Sequence, residues 1–324
     1  MSTVFLGTSE FAAAVLERLA RSDADRPALV LTRPDRPRGR GRRLASPPVA
    51  QTARALGIPL EQPDSVNDPK ARALIVAAGQ ETADDAAERG PQTVIVCAFG
   101  ALIKEPLLSE HEILNVHPSL LPRWRGAAPI ERAIMAGDVG TGVSIMRLTA
   151  GLDSGPVCLE ASEPIHAQDT FGSLAPRLSE IGGELLVRAL HEHPPFIEQP
   201  ERGVTYAEKI SPEDRLLDPR RPAAELERVV RALHPHIGAR VALADGTLLG
   251  VHRAKLIDAQ AAGTASPATG AEADVEPAGV LARDGRLLLH CTPGVLELIE
   301  VQPPGGRAMD ASAYLRGHGP VGRR

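Results

Sequence analysis

The sequence predicts an α/β protein in two parts, an open, mostly parallel sheet domain followed by a smaller β-barrel domain. Three observations carry this. Short apolar runs alternate with helical stretches through the first half, the rhythm of βαβ units. From Ala239 onward the pattern changes to five short strands in succession, with Asp245-Gly246 and Asp284-Gly285 as hairpin turns. Between the two regions lies His193-Pro194-Pro195 and a mostly polar run to Arg202-Gly203. A length of 324 residues is enough for two domains of ordinary size.

The elements follow in order. Val4-Phe5-Leu6 reads as a strand, and Thr8 or Ser9 can cap a helix whose Phe11, Val15, Leu16 and Leu19 recur at helical spacing. Leu29 to Thr32 is the next strand. Thr93 to Cys97 is apolar throughout, as a parallel strand covered on both faces must be. Glu112 to His117 is a further strand, 128–136 a helix and Val143 to Met146 a strand after it. A helix beyond residue 172 carries Leu174, Leu178, Ile181, Leu185, Leu186 and Leu190. These units suggest a Rossmann-like domain over 1–195, a linker over 196–209 and a second domain over 210–324. The second begins with a helix at 222–233, with Leu226, Val229, Val230 and Leu233 on one face. Its strands, Ala239–Leu243, Leu248–Ala254, Gly279–Ala282, Leu287–His290 and Val295–Val301, suit a small OB-like barrel. Ala259 to Pro277, rich in Ala, Gly, Thr and acidic residues, reads as a flexible loop.

Composition narrows the function classes. Apolar residues make up 43% and charged residues 24%, the balance of a globular protein, while aromatic residues are only 2%. A net charge of −5 means that any nucleic-acid surface must be a local basic patch. Cys97, Cys158 and Cys291 are widely spaced, so they suggest neither a metal pair nor a disulfide framework and read as small buried hydrophobes in a reducing compartment. No signal peptide and no run of about 18 apolar residues is present, so a cytoplasmic protein is expected.

Four motifs carry chemical information. The Gly7 turn opens a βαβ unit, but without GxGxxG it implies no dinucleotide. Arg33 to Arg43 packs six arginines and one aspartate into eleven residues. Its prolines and glycines argue for an irregular loop, either a solvated surface segment or a phosphate contact at the sheet edge where α/β ligands bind. Asn115 and His117 point to the same face of their strand because the period is two. Pro118 cannot donate to a ladder, so the strand ends there with an amide and an imidazole side by side. Gly151-Leu152-Asp153-Ser154-Gly155 adds a carboxylate in a glycine-framed loop.

Asn115-Val116-His117-Pro118-Ser119-Leu120-Leu121-Pro122, running on through Gly126 to Pro129 with Asp153 downstream, resembles the folate-dependent formyltransferases. The resemblance extends through Phe5 to Ala12, Pro34 to Leu44, Ala98-Phe99-Gly100, Thr141 to Met146 and Tyr206 to Lys209, nearly the whole chain. It implies acyl transfer from 10-formyltetrahydrofolate without a metal. By the same resemblance Asn115, His117 and Asp153 are the catalytic residues, and Ser119, Leu120, Leu121 and Pro122 shape the folate pocket. The arginine loop with the barrel points to the branch that formylates the methionine on initiator tRNA, with Arg36, Arg38, Arg40, Arg42 and Arg43 as tRNA contacts and a monomer as the working unit. Siblings acting on a sugar amine or a glycinamide, a formyl-folate hydrolase, or a tRNA-binding module with a decayed catalytic domain are the competing readings. The chain departs from the family pattern in its crowded arginines, a longer 66–92 stretch and His234-Pro235-His236-Ile237.

Overall fold

The computed structural model describes residues 2–38, 43–80, 92–257 and 279–318. Arg40, Arg42, part of the 66–92 stretch and the expected loop from Ala259 to Pro277 lie outside the described residues. By packing, the chain divides into two compact units. One holds Met1–Pro129, Gly140–Pro164 and Ala175–Ala207; the other holds Ile130–Val139, Ile165–Leu174 and Glu208–Arg324.

The first unit opens with β1 (Thr3–Gly7) and α1 (Glu10–Leu19). Ser9 caps α1, its hydroxyl accepting the Ala12 N–H at 3.3 Å, and Phe11, Val15, Leu16 and Leu19 form the buried face that the spacing predicts. β2 (Leu29–Leu31), β3 (Arg36–Arg38), β4 (Arg43–Ala45), α2 (Pro48–Leu56), β5 (Leu60–Glu61) and α3 (Pro69–Gln80) follow. Next come β6 (Thr93–Cys97), the short α4 (Leu107–Glu110), β7 (Glu112–His117) and β8 (Arg125–Gly126). α5 (Pro129–Ala136), β9 (Gly140–Arg147), β10 (Val157–Pro164), α6 (Phe171–Glu192) and β11 (Tyr206–Ala207) complete the elements before the second domain.

Seven strands form one sheet in the order β10-β9-β7-β6-β1-β2-β5. β7, β6, β1, β2 and β5 run parallel, and β9 and β10 close one side as an antiparallel pair. Every residue of β1 and β6 is buried, which is why their sequences are apolar without alternation. The arginine run departs from the expected irregularity: Arg36–Arg38 pairs antiparallel with Arg43–Ala45 as a small ribbon. The 197–207 part of the run read as a linker packs on this unit, Ile197 bridging Val157 and β11 pairing with β8.

The second unit contains α7 (Ala223–Leu233), β12 (Ala239–Ala242), β13 (Leu248–Ile257), β14 (Gly279–Arg283), β15 (Arg286–His290), β16 (Val295–Gln302), β17 (Met309–Asp310) and α8 (Ala311–His318). Its antiparallel sheet runs β12-β13-β16-β15-β14, with β17 on β16, and curls into a half-barrel. Leu226, Val230 and Leu233 of α7 pack with Leu249, Leu287 and Leu298 inside it. The divergent segment has a definite place here. The His236 ring stacks on Phe171 at 3.7 Å between centroids, and its Nε2 lies 2.9 Å from Glu131 Oε1.

Leu298 is 1% exposed on the central strand β16. Leu298→Ala is expected to destabilise this unit by about 2–5 kcal/mol, through lost transfer energy and the cavity left behind. Chemical denaturation followed by circular dichroism measures the loss.

Candidate active site

β7 lies between β6, its parallel neighbour, and β9, its antiparallel neighbour, with His117 directly opposite Ser144. The strand ends at Pro118, which has no N–H for the ladder. Asn115 and His117 therefore reach the carboxyl edge of the sheet on one face, and both are buried, at 7% and 3% exposure. No described residue hydrogen-bonds the Asn115 side-chain amide. The amide is therefore available to a partner from outside the described residues, whether water or a bound molecule.

His117 is held more tightly. Its Nε2 is 2.9 Å from the Trp124 carbonyl oxygen, and because a carbonyl only accepts, Nε2 carries the hydrogen. The other ring nitrogen, Nδ1, lies 3.8 Å from Asp153 Oδ2. That carboxylate oxygen also accepts the Gly126 N–H at 2.9 Å. Trp124 and Asp153 both have left-handed backbones, with φ of 61° and 42°. The Trp124 N–H donates to Thr205 Oγ1 at 2.9 Å, and the Arg123 guanidinium covers the Trp124 ring at 4.4 Å. Of the three residues singled out in sequence, His117 and Asp153 thus meet at 3.8 Å, and Asn115 lies two residues before His117 on the same face of β7.

The loop after β7 is fixed from β9. Ser119 is fully buried, and its hydroxyl donates to the Arg123 carbonyl at 2.7 Å. Ser144 Oγ accepts the Leu121 N–H at 3.1 Å and lies 2.7 Å from both the Ser119 carbonyl and Glu160 Oε1. Its single proton serves one of those two acceptors. Leu120 lies against Gly142, where an added Cβ would come within 2.5 Å of it and 2.2 Å of the Ala161 carbonyl oxygen. Only glycine lets the loop approach β9 so closely. Leu121 and Pro122 complete the turn, and a hollow of about 260 Å³ bounded by Leu121, Val157, Glu160, Ile197 and Gln199 opens beside it.

The arginine ribbon follows β2, so it leaves the same carboxyl edge as β7. Its base is anchored by polar contacts. Gln62 Nε2 donates to Asp35 Oδ1 at 2.8 Å and to the Arg33 carbonyl at 2.9 Å, and Ser46 Oγ donates to Asp35 Oδ2 at 2.8 Å. The Gln62 hydrogen bond, followed by that of Ser46, holds the Asp35 carboxyl below the usual carboxylate range. Arg33 Nη1 donates to the Gly100 carbonyl at 2.7 Å. A cleft of about 320 Å³ at the base is lined by Thr8, Arg33, Pro34 and Arg36, and Arg36 is exposed. The backbones of Arg38 and Arg43 lie in the ribbon strands; Arg40 and Arg42 fall outside the described residues.

Of the cysteines, Cys158 borders the hollow beside Leu121. Cys97 is buried, while Cys158 and Cys291 are half-buried rather than enclosed as expected. Burial pushes the Cys97 thiol up, Cys158 to about 11 and Cys291 to about 12, so none is a ready thiolate. Sequence reasoning missed Ser144, Trp124, Thr205 and Gln199. Ser144, Thr205 and Gln199 act across pairings between distant segments, which no local pattern marks, while Trp124 lies seven residues from His117 and acts through its backbone carbonyl, which carries no side-chain signal.

Comparison with known proteins gives a consistent result. The family described as formyl transferase matches residues 1–190, and the formyl transferase C-terminal domain matches residues 209–319. A methionyl-tRNA formyltransferase of Dechloromonas aromatica is 40% identical over 322 residues, covering 98% of this chain and 96% of that protein. One from Halorhodospira halophila is 39% identical over 325 residues, covering 97% and 95%. Among solved structures, methionyl-tRNA formyltransferase from Clostridium thermocellum shares the fold with a TM-score of 0.57 at 14% identity, over 79% of this chain and 94% of that one. HypX from Aquifex aeolicus in complex with tetrahydrofolic acid does so with a TM-score of 0.60 at 16% identity, over 100% of this chain and 51% of that one.

Ser144→Ala would leave the Leu121 N–H without its acceptor in a buried setting. The expected cost is about 1–3 kcal/mol of stability, with faster amide exchange at Leu121. Hydrogen exchange read residue by residue checks both; an unchanged Leu121 rate would mean that Ser144 does not hold the loop.

Proposed function

The chain belongs to the formyl transferase family, and from that premise we propose that it transfers the formyl group of 10-formyltetrahydrofolate to the α-amino group of methionine carried on initiator tRNA. Its product is the N-formylmethionyl-tRNA that starts translation. The observation that carries the reading is the free, nearly buried Asn115 amide beside the His117–Asp153 pair at the carboxyl end of β7. The arginine run and the second domain together favour a tRNA acceptor over a sugar amine or a glycinamide, which would not need both. We assign the reaction to the cytoplasm and to a monomer; no described helix is long and apolar enough to cross a membrane.

When bound, the folate co-substrate supplies a formyl group on a nitrogen that leaves once protonated. Asn115 donates its amide N–H to the formyl oxygen, where negative charge develops as the amine attacks. Removing one such donor typically costs about 10²–10³ in rate. His117 and Asp153 handle the proton. With Nε2 committed to the Trp124 carbonyl, the ring takes up or releases a proton at Nδ1, the nitrogen facing Asp153. The carboxylate then stabilises the imidazolium as an ion pair. The buried backbone of Ser119 and Leu121, with Leu120 and Pro122, forms the wall against which the folate rests. Arg36, Arg38, Arg40, Arg42 and Arg43 contact the tRNA phosphates, and the C-terminal domain adds further tRNA surface.

The test is formyl transfer to charged initiator tRNA, with uncharged and elongator tRNAs as controls. His117→Ala and Asp153→Asn are each expected to lose at least about 10² in kcat while remaining folded. Near-normal turnover by a folded His117→Ala protein would sink the assignment. Release of formate at the same rate with and without tRNA would instead indicate a hydrolase.

Arg40→Ala combined with Arg42→Ala is expected to lower kcat/KM for methionyl-tRNA about tenfold or more. Each phosphate contact releases condensed counterions, so the log–log salt slope should flatten by roughly one to two units. Folate affinity should stay unchanged. Kinetics at several salt concentrations decide it, and an unaltered slope with unaltered efficiency returns the run to a solvated surface segment.

A further inference from the structure

We propose that Gln199 is a positioning residue for Asp153, fixing the carboxylate toward His117 from within a segment whose sequence reads as a linker. The inference rests on the reading that Asp153 takes part in formyl transfer.

The geometry is closed at every atom of the Gln199 amide. Its Nε2 donates to the Asp153 carbonyl at 2.8 Å and to the Gly155 carbonyl at 2.7 Å. Its Oε1 accepts from Arg125 Nε at 3.0 Å and from Arg125 Nη2 at 2.8 Å. Both hydrogens and both lone pairs are used. The orientation of the amide is also settled: a flipped group would aim its hydrogens at the guanidinium and its oxygen at two carbonyls. Gly126, the residue after Arg125, donates its N–H to Asp153 Oδ2. Two consecutive residues of β8 thus grip Asp153, Gly126 directly at the carboxylate and Arg125 through Gln199 at the backbone.

Asp153 needs this grip. Its φ of 42° is left-handed, a conformation that non-glycine residues hold only when their surroundings enforce it. Gly155 lies so close to the Arg147 carbonyl oxygen that an added Cβ would come within 2.0 Å of it, so the loop has one seat. The carboxylate lies 3.8 Å from His117 Nδ1, just beyond a hydrogen bond. At such a distance a misplacement of about 1 Å changes rates by as much as about 10²-fold. The Gln199 amide makes its hydrogen bonds to Asp153, Gly155 and Arg125 and none to His117 or Asn115, so it acts through Asp153.

Gln199→Ala and Gln199→Glu in the full chain test this. Glutamate keeps the length and the Arg125 contact but has no N–H for the two carbonyls, and it carries the test if the alanine variant fails to fold. Both variants are expected to lose about 10- to 100-fold in kcat, with KM for methionyl-tRNA and for 10-formyltetrahydrofolate within about threefold of wild type. Both should alter the pH profile of kcat in the same sense as Asp153→Asn. Placed in the Asp153→Asn background, each should cost less than about threefold, because the group it positions is already gone. Equal losses in both backgrounds, or wild-type kcat in a folded variant beside a disabled Asp153→Asn, would overturn this inference alone. Near-normal turnover by Asp153→Asn would overturn the functional reading together with it.

Discussion

His117 has two ring nitrogens, and the Trp124 carbonyl, which can only accept, takes the hydrogen of one of them. That single hydrogen bond sets the ring orientation, assigns the tautomer and leaves Nδ1 as the nitrogen that faces Asp153. Much of the surrounding backbone is arranged to keep the carbonyl where it is. Trp124 is left-handed, its N–H is taken by Thr205, and the Arg125 N–H donates to the Thr205 carbonyl at 2.9 Å. The pairing of β8 with β11 continues the same contact for two more residues.

This arrangement stores strain beside His117 and Asp153. Left-handed Trp124 and Asp153 cost on the order of 1–3 kcal/mol each, and they persist because the loops around them are overdetermined. The hydrogen bond that Trp124 donates to Thr205, and those that Asp153 accepts from Gln199 and Gly126, contribute about 0.5–1.5 kcal/mol each, of the same order as the strain. A site held in this way needs little reorganisation when charge develops, which is where electrostatic stabilisation of a transition state gains its strength.

The sequence made the centre of the site legible and left its supports hidden. Period-two alternation places Asn115 and His117 on one face without knowledge of any partner strand, and Pro118 marks the strand end by its missing N–H. Ser144 could not be found in that way, because its role depends on the antiparallel register that sets it opposite His117. Gln199 sits in a polar run with Pro and Gly nearby, a composition that reads as a linker wherever the fold does not recruit it. The arginine run erred in the other direction: its prolines suggested irregular chain, yet Pro37 sits inside a two-stranded ribbon, an edge position where a missing N–H is tolerated. Four of the five expected barrel strands end within one residue of the observed bounds, because hairpin turns are local signals, while Leu248–Ala254 runs on to Ile257 and β17 was not expected.

Charge in the arginine run follows from how its one carboxylate is used. Asp35 is the only carboxylate between residues 33 and 43. Its two oxygens point to Gln62 and Ser46 at the base of the ribbon, and Arg54 ties both of those groups down, with Nη1 on Ser46 Oγ at 2.8 Å and Nη2 on Gln62 Oε1 at 3.0 Å. The carboxylate is therefore used as an anchor for the backbone. The remaining arginines keep a positive field on a protein whose total charge is −5. Such a local positive field attracts a polyanion that a net-negative protein would otherwise repel. On the proposed function, fold topology sets where the chemistry occurs, and this local imbalance of charge would draw a tRNA acceptor toward the run.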